Sequence, residues 1–196
     1  MFIDEIGAFY RSVAASAEPV TLDEAKAQLR VTEDAEDTYI ESLILAATAY
    51  AEEKTNLALM TQTWVATIDN GTLPDGGIVE LPRPPFQSLV SISYLDENDA
   101  TQTLPVANYT VDTESVPGRL IFENMPTISD SPNALTITWK AGYSDAASIP
   151  TNIKQGILLM VAHWFEFRTP VLAGTITTKV PQSADTLLNL SRMRWL

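Results

Sequence analysis

Residues 149–168 read IPTNIKQGILLMVAHWFEFR, and the rest of the chain is arranged around them. Pro150 suits a first helical turn, where a missing N–H costs nothing, and Thr151 or Asn152 can serve the same opening. Ile153, Ile157, Val161 and Trp164 then fall on one face at helical spacing, and Leu158, Ala162 and Phe165 line a second. From Ile157 to Phe165 only His163 is polar. A helix apolar nearly all round is buried on most sides, whereas a surface helix shows one stripe. The run is shorter than the ~20 apolar residues a bilayer requires. It is therefore expected to lie in a core, or to be shared between a core and a neighbouring subunit, through Ile153, Ile157, Val161, Trp164 and Phe165.

Before this helix the chain changes texture twice. Residues 2–17 read as weakly helical, with Ile6, Phe9, Tyr10 and Val13 at helical spacing. After Pro19, Thr21-Leu22-Asp23-Glu24 has the form of a capping box. It opens a short helix expected to bury Leu22, Ala25 and Leu29. The acids Glu33, Asp34, Glu36 and Asp37 precede a longer helix to about Asn56, with Ile40, Leu43, Ile44, Ala47 and Ala51 as its apolar stripe. Carboxylates at a helix start are favoured by the macrodipole, so they are read as structural rather than metal-binding. From Thr61 onward the pattern alternates. Strands are expected near residues 63–68, 78–81, 89–95, 101–104, 109–112, 119–122 and 135–140. Turns separate them at Asn70-Gly71, Asp75-Gly76-Gly77, residues 96–99 and Pro117-Gly118. The acidic turn at 96–99 lacks the glycine and closing glutamate of a calcium loop, and reads as a hairpin tip.

The predicted fold class is α+β: a helical bundle with an inserted antiparallel β module and an extended C-terminal segment. The divisions are 1–60, N-terminal helices; 61–148, the β module; and 149–196, the central helix and C-terminal segment, with the helical parts packed as one domain. After Thr169-Pro170, residues 169–179 read as a flexible lead into a final amphipathic stretch. There Leu187, Leu188, Leu190, Met193, Trp195 and Leu196 are apolar, with Arg192 and Arg194 between them. That stretch either folds back on its own subunit or inserts into a partner.

Charge narrows the function. The net charge is −13, and it divides as −8 for residues 1–60, −8 for 61–149 and +3 for 150–196. An acidic body repels phosphates and disfavours general nucleic-acid binding. A basic end on an acidic body suits an acidic partner. The chain has no cysteine, hence no disulfide, zinc finger or thiol chemistry. Its first residues have no basic start followed by an apolar run, so a soluble protein made in the cytoplasm is expected. One histidine, inside an apolar helix, does not supply a nucleophile–base pair. The GxSxG, P-loop, GxGxxG and HExxH patterns are missing from the sequence. No enzyme, metal or cofactor is expected. From composition and periodicity the chain is a soluble α+β protein, a binding or assembly component.

Several blocks in order carry a resemblance: PVTLDEAKAQLRV at 19–31, the helix after it, LPRPPFQSLVSISYLDEND at 81–99, AGYSD at 141–145, and the 149–168 helix. Together they are similar to the tailed-phage head–tail connector family, also called adaptor or head-completion proteins. The departures are Phe167-Arg168-Thr169, where relatives carry a more polar end, and LLNLSRMRWL, which lacks a Pro-Tyr pair before its arginine. The resemblance implies a virion protein made in the bacterial cytoplasm and located in the neck. It implies a ring, commonly a dodecamer, beneath the portal, joining the DNA-filled head to the tail. The implied partners are the portal protein, stopper or tail proteins, and other copies of the chain. DNA would pass through without specific binding, and no membrane is involved. Portal docking is expected through Leu187, Leu188, Leu190, Arg192, Met193, Arg194, Trp195 and Leu196. The alternatives are another neck component, such as a stopper or tail-terminator protein, and, more distantly, a carboxylate hydrolase.

Overall fold

The computed structural model describes residues 7–69, 77–168 and 181–193. Their backbone forms an α+β fold with four α-helices and two antiparallel sheets among the described residues. The chain divides into two compact units. One holds Thr61–Tyr143 with the described residues up to Ser16; the other holds Ala17–Met60 and the described residues from Ser144 onward.

In the helical unit, α1 (Leu22–Leu29) opens on the expected capping box. Glu24 N donates to Thr21 Oγ1 at 3.1 Å, and Thr21 N donates to Glu24 Oε2 at 2.8 Å. Ala25 is fully buried, while Leu22 and Leu29 are only half-buried. Arg30 ends the helix in the left-handed region, φ 58°. The acidic group then forms a single 3-10 turn, Asp34–Glu36, before α2 (Asp37–Thr55). Its charges are held from other elements: Lys26 Nζ lies 2.8 Å from Asp34 and 2.7 Å from Asp37, and Arg168 Nη2 lies 2.8 Å from Glu36. Ile40, Leu43, Ile44, Ala47 and Ala51 are all buried, as their spacing predicts. Glu52, also buried, accepts from Leu59 N at 2.9 Å and fixes the chain leaving α2.

Helix α3 (Thr151–Glu166) is the packing partner of the other three helices. Ile153, Ile157, Met160 and Val161 are fully buried, and Lys154 reaches Glu24 of α1 at 2.8 Å. The all-round burial expected for the helix holds for its first part only. Residues 162–165, Trp164 and Phe165 among them, are half-buried, and Phe167 beyond them is exposed. Tyr39 and Arg168 pack against Phe165, with the guanidinium 4.7 Å from that ring and 4.5 Å from Tyr39.

In the β unit, the first sheet has the order β1 (Ala8–Val13), β2 (Gln62–Ile68), β8 (Leu135–Ala141), β4 (Phe86–Leu95), β5 (Thr101–Thr103), each pair antiparallel. The second is β3 (Ile78–Glu80), β7 (Arg119–Phe122), β6 (Tyr109–Asp112). Ala66, Ile68, Leu135, Ile137, Trp139 and Ile92 make the buried face of the larger sheet. Loop acids hold the turns. Asp96 accepts from Asn98 N and Ala100 N at the 96–99 hairpin tip, and Asp112 accepts from Ser115 and Arg119.

The helical reading of residues 2–17 is corrected: the described part is strand β1. Phe9 stacks on Trp64 at 4.8 Å and lies 6.0 Å from Trp139. Tyr10 and Val13, expected on the same helical stripe, are 52% and 58% exposed. Sheet pairing and one aromatic anchor outweigh a weak helical preference. The turn readings at 70–71 and 75–76, and residues 2–6, lie outside the described residues.

Candidate functional site

The residues expected to bind a partner lie on and after α4 (Gln182–Leu190), so its seat decides which of them are available. Its inner face is set by Ala184 and Leu188, both fully buried. Leu188 fits because α3 has a glycine beneath it. A Cβ on Gly156 would stand 2.8 Å from Leu188 Cδ2 and 3.0 Å from its Cγ. Gly156 is otherwise an unfavourable residue for a helix interior, so close approach is its use here.

Polar contacts fix the helix lengthwise. Asn152 Nδ2 donates to Leu187 O and to Ser191 Oγ, each at 2.8 Å, and so satisfies a carbonyl in the last turn of α4. Tyr50 Oη donates to Asp185 Oδ1 at 2.7 Å, with Lys54 Nζ 3.3 Å from the same oxygen. Burial, then the hydrogen bond to Asp185, pushes the Tyr50 phenol up to about 12. Past the helix, Met193 N donates to Thr55 O at 2.8 Å, and Asn56 Nδ2 donates to Met193 O at 3.4 Å. The chain after α4 is thus tied to the end of α2.

This arrangement divides the eight expected docking residues. Leu188 is core of its own subunit, a correction to its reading as an interface anchor. Leu187 and Met193 are half-buried, Leu190 is 74% exposed, and Arg192 is exposed. Arg194, Trp195 and Leu196, like the expected lead over 169–179, lie outside the described residues. Arg192 joins Tyr50, Glu53 and Lys54 around a shallow surface groove of about 320 Å³. Of the five residues expected in the core or at a subunit contact, Ile153, Ile157 and Val161 are fully buried, and Trp164 and Phe165 are half-buried. Among the described residues, no group of three or more His, Asp or Glu side chains could hold a metal ion. His163 packs its ring against Phe167, with centroids 5.0 Å apart. Gly156, Asn152 and Tyr50 were missed from sequence. Only the first carried a signal, a glycine inside an otherwise apolar helix.

Residues 19–95, from the capping box through α2 to the end of β4, match the model of the phage gp6-like head-tail connector protein family. Over these residues, less than half of the chain, it is similar to that family. Connectors of this family are structural proteins rather than enzymes. By fold the chain is similar to one described as "Neck of empty GTA particle computed with C6 symmetry", with TM-score 0.76 and 20% identity, covering 96% of this chain and 97% of that one. A chain described as "Virion of native gene transfer agent (GTA) particle" gives TM-score 0.75 at 20% identity over the same shares. A third, "Neck of native GTA particle computed with C12 symmetry", gives 0.71 at 19% identity, again over 96% and 97%. At such identities the likeness is one of fold. No curated protein sequence matches the chain.

Proposed function

We propose that this chain is a head–tail connector in the neck of a tailed phage or phage-like particle, where copies form a ring beneath the portal vertex and join the DNA-filled head to the tail. The observation that carries the reading is the family match over 19–95, in a chain that shares its fold over 96% of its length with chains from GTA necks and virions. The ring is dodecameric, and its other contacts are the portal on one side and stopper or tail proteins on the other. The helical segments, separated in sequence, act as one domain. A net charge of −13 suits a passage that DNA must traverse without adhering.

Portal docking falls to what α4 leaves outward. Leu188 anchors the helix to its own subunit; Leu187, Leu190, Arg192, Met193 and residues 194–196 meet the portal. An exposed leucine beside arginines suits an acidic and apolar socket, and Trp and Arg are frequent hot-spot residues. Removing the gene tests the reading. The producing cells should then accumulate DNA-filled heads and unattached tails, which join when the purified protein is added. Tailed, DNA-filled particles formed without it would overturn the assignment.

A further inference from the structure

A chain carrying −13 meets least repulsion from its own copies where its acids are missing. The larger sheet offers two such places, at opposite edges. Strand β1, AFYRSV, is six residues long, ends the sheet on one side and contains no acid. On the other side β5 covers only Ser93–Leu95 of β4, and Leu104 N takes the carbonyl of Ile92. Residues 86–91 of β4, FQSLVS, are left as an edge of the same length, also without an acid. Among the described residues, no strand pairs with the outer side of either segment.

The two edges are also matched in direction. Each neighbouring pair in the order β1-β2-β8-β4 is antiparallel, so β4 runs opposite to β1. A second copy continuing the sheet would lay its β1 antiparallel to residues 86–91 of the first. Apolar side chains stand ready at both edges. Tyr10 and Val13 are 52% and 58% exposed on β1; Val90, at the irregularity between Leu89 and Ser91 where β4 slips against β8, is 52% exposed. Exposed edges with apolar side chains invite pairing unless they are blocked, and a head-to-tail contact between unlike surfaces is the type that closes into rings.

From these juxtapositions we infer that β1 of one copy pairs with residues 86–91 of β4 in the next, so that the five-stranded sheet runs on from subunit to subunit. The inference rests on the proposed ring, and it names the contact that builds it.

The chain has no cysteine, which makes a crosslink clean. Within one copy β1 and β4 are three strand spacings apart, roughly 14 Å, too far for a disulfide, so any bond between them joins two copies. Tyr10→Cys and Val90→Cys are placed together in one chain, and each alone, and particles are purified from the producing strain under mild oxidation. The double variant should give a ladder of covalent multimers on a non-reducing gel, and each single variant only monomer. Protein present in particles without the ladder overturns the inference while leaving the connector assignment standing. Dimers from Tyr10→Cys alone would mean β1–β1 pairing and overturn it as well. Wild-type protein missing from particles sinks the connector reading and this inference with it. Should the cysteine pair disturb the fold, Val90→Lys decides instead: its melting should stay at the wild-type value while its incorporation falls at least about tenfold, because an edge charge blocks pairing. Incorporation at the wild-type level would overturn the contact.

Discussion

At the scale of single residues, Gly156 decides whether α4 stays seated. A methyl at that position meets the side chain of Leu188, which is fully buried. Overpacking of this kind costs about 1–3 kcal/mol, against roughly 1 kcal/mol that alanine gains over glycine in a helix interior. The clash wins, and Gly156→Ala should lower the melting temperature. Adding Leu188→Ala should produce a loss smaller than the sum of the two, because shortening Leu188 makes room for the new methyl. Strict additivity would show that Gly156 and Leu188 do not meet. Asp112 gives a test with a sign. Hydrogen bonds from the Ser115 side chain, then the Arg119 guanidinium, then Ser115 N, hold its carboxyl far below the ordinary value of 3.8. A depressed pKa contributes stability that is present above the unfolded value and lost as pH falls through the folded one. Asp112→Asn should therefore melt below wild type at pH 7, and the gap should start to close as pH falls through the ordinary value of 3.8 and go on closing into strong acid. A gap already fully closed at pH 3.8 would mean that these contacts do not hold the ionised form. Neither role shows in sequence. The spacing Asp112–Ser115–Arg119 fits many hairpins, and which helix Gly156 faces is a tertiary fact.

At the scale of elements, the chain was most legible where a local pattern decides the structure. The capping box, the stripe of α2, the alternating strands and the 96–99 hairpin tip all depend on neighbours within a few residues. Two elements were not legible in this way. Strand β1 is made by β2 and by Phe9 settling on Trp64 and Trp139, partners more than fifty residues away. Helix α4 was legible as amphipathic but not as to what it faces, and its burial of Leu188 in its own subunit decides which deletion can test docking. Removing residues 184–196 would uncover Gly156 and take away Asp185, so loss of folding would say nothing about a partner. Removing only 194–196 leaves every described contact of α4 in place. The shortened protein should keep its stability to within about 1 kcal/mol of wild type, and should fail to join DNA-filled heads. Joining at the wild-type rate would show that the portal contact lies elsewhere.

At the scale of the whole molecule, charge and architecture bear on the same role. With −13 on the chain, the purified protein should show no duplex DNA binding at physiological salt. Retention of duplex that weakens steeply with added salt would place a basic surface where the account has none. The family match and the fold support a connector, while ring closure, portal contact and the running sheet are properties of the assembly. They are reached most directly by cryo-electron microscopy of DNA-filled particles from the producing strain, focused on the neck. A ring of density directly beneath the portal is expected, into which this chain fits, with the residues following α4 against the portal and β1 beside β4 of the adjacent copy. Neck density that this chain cannot fit, or the chain located in the capsid shell or at the tail tip, would contradict it.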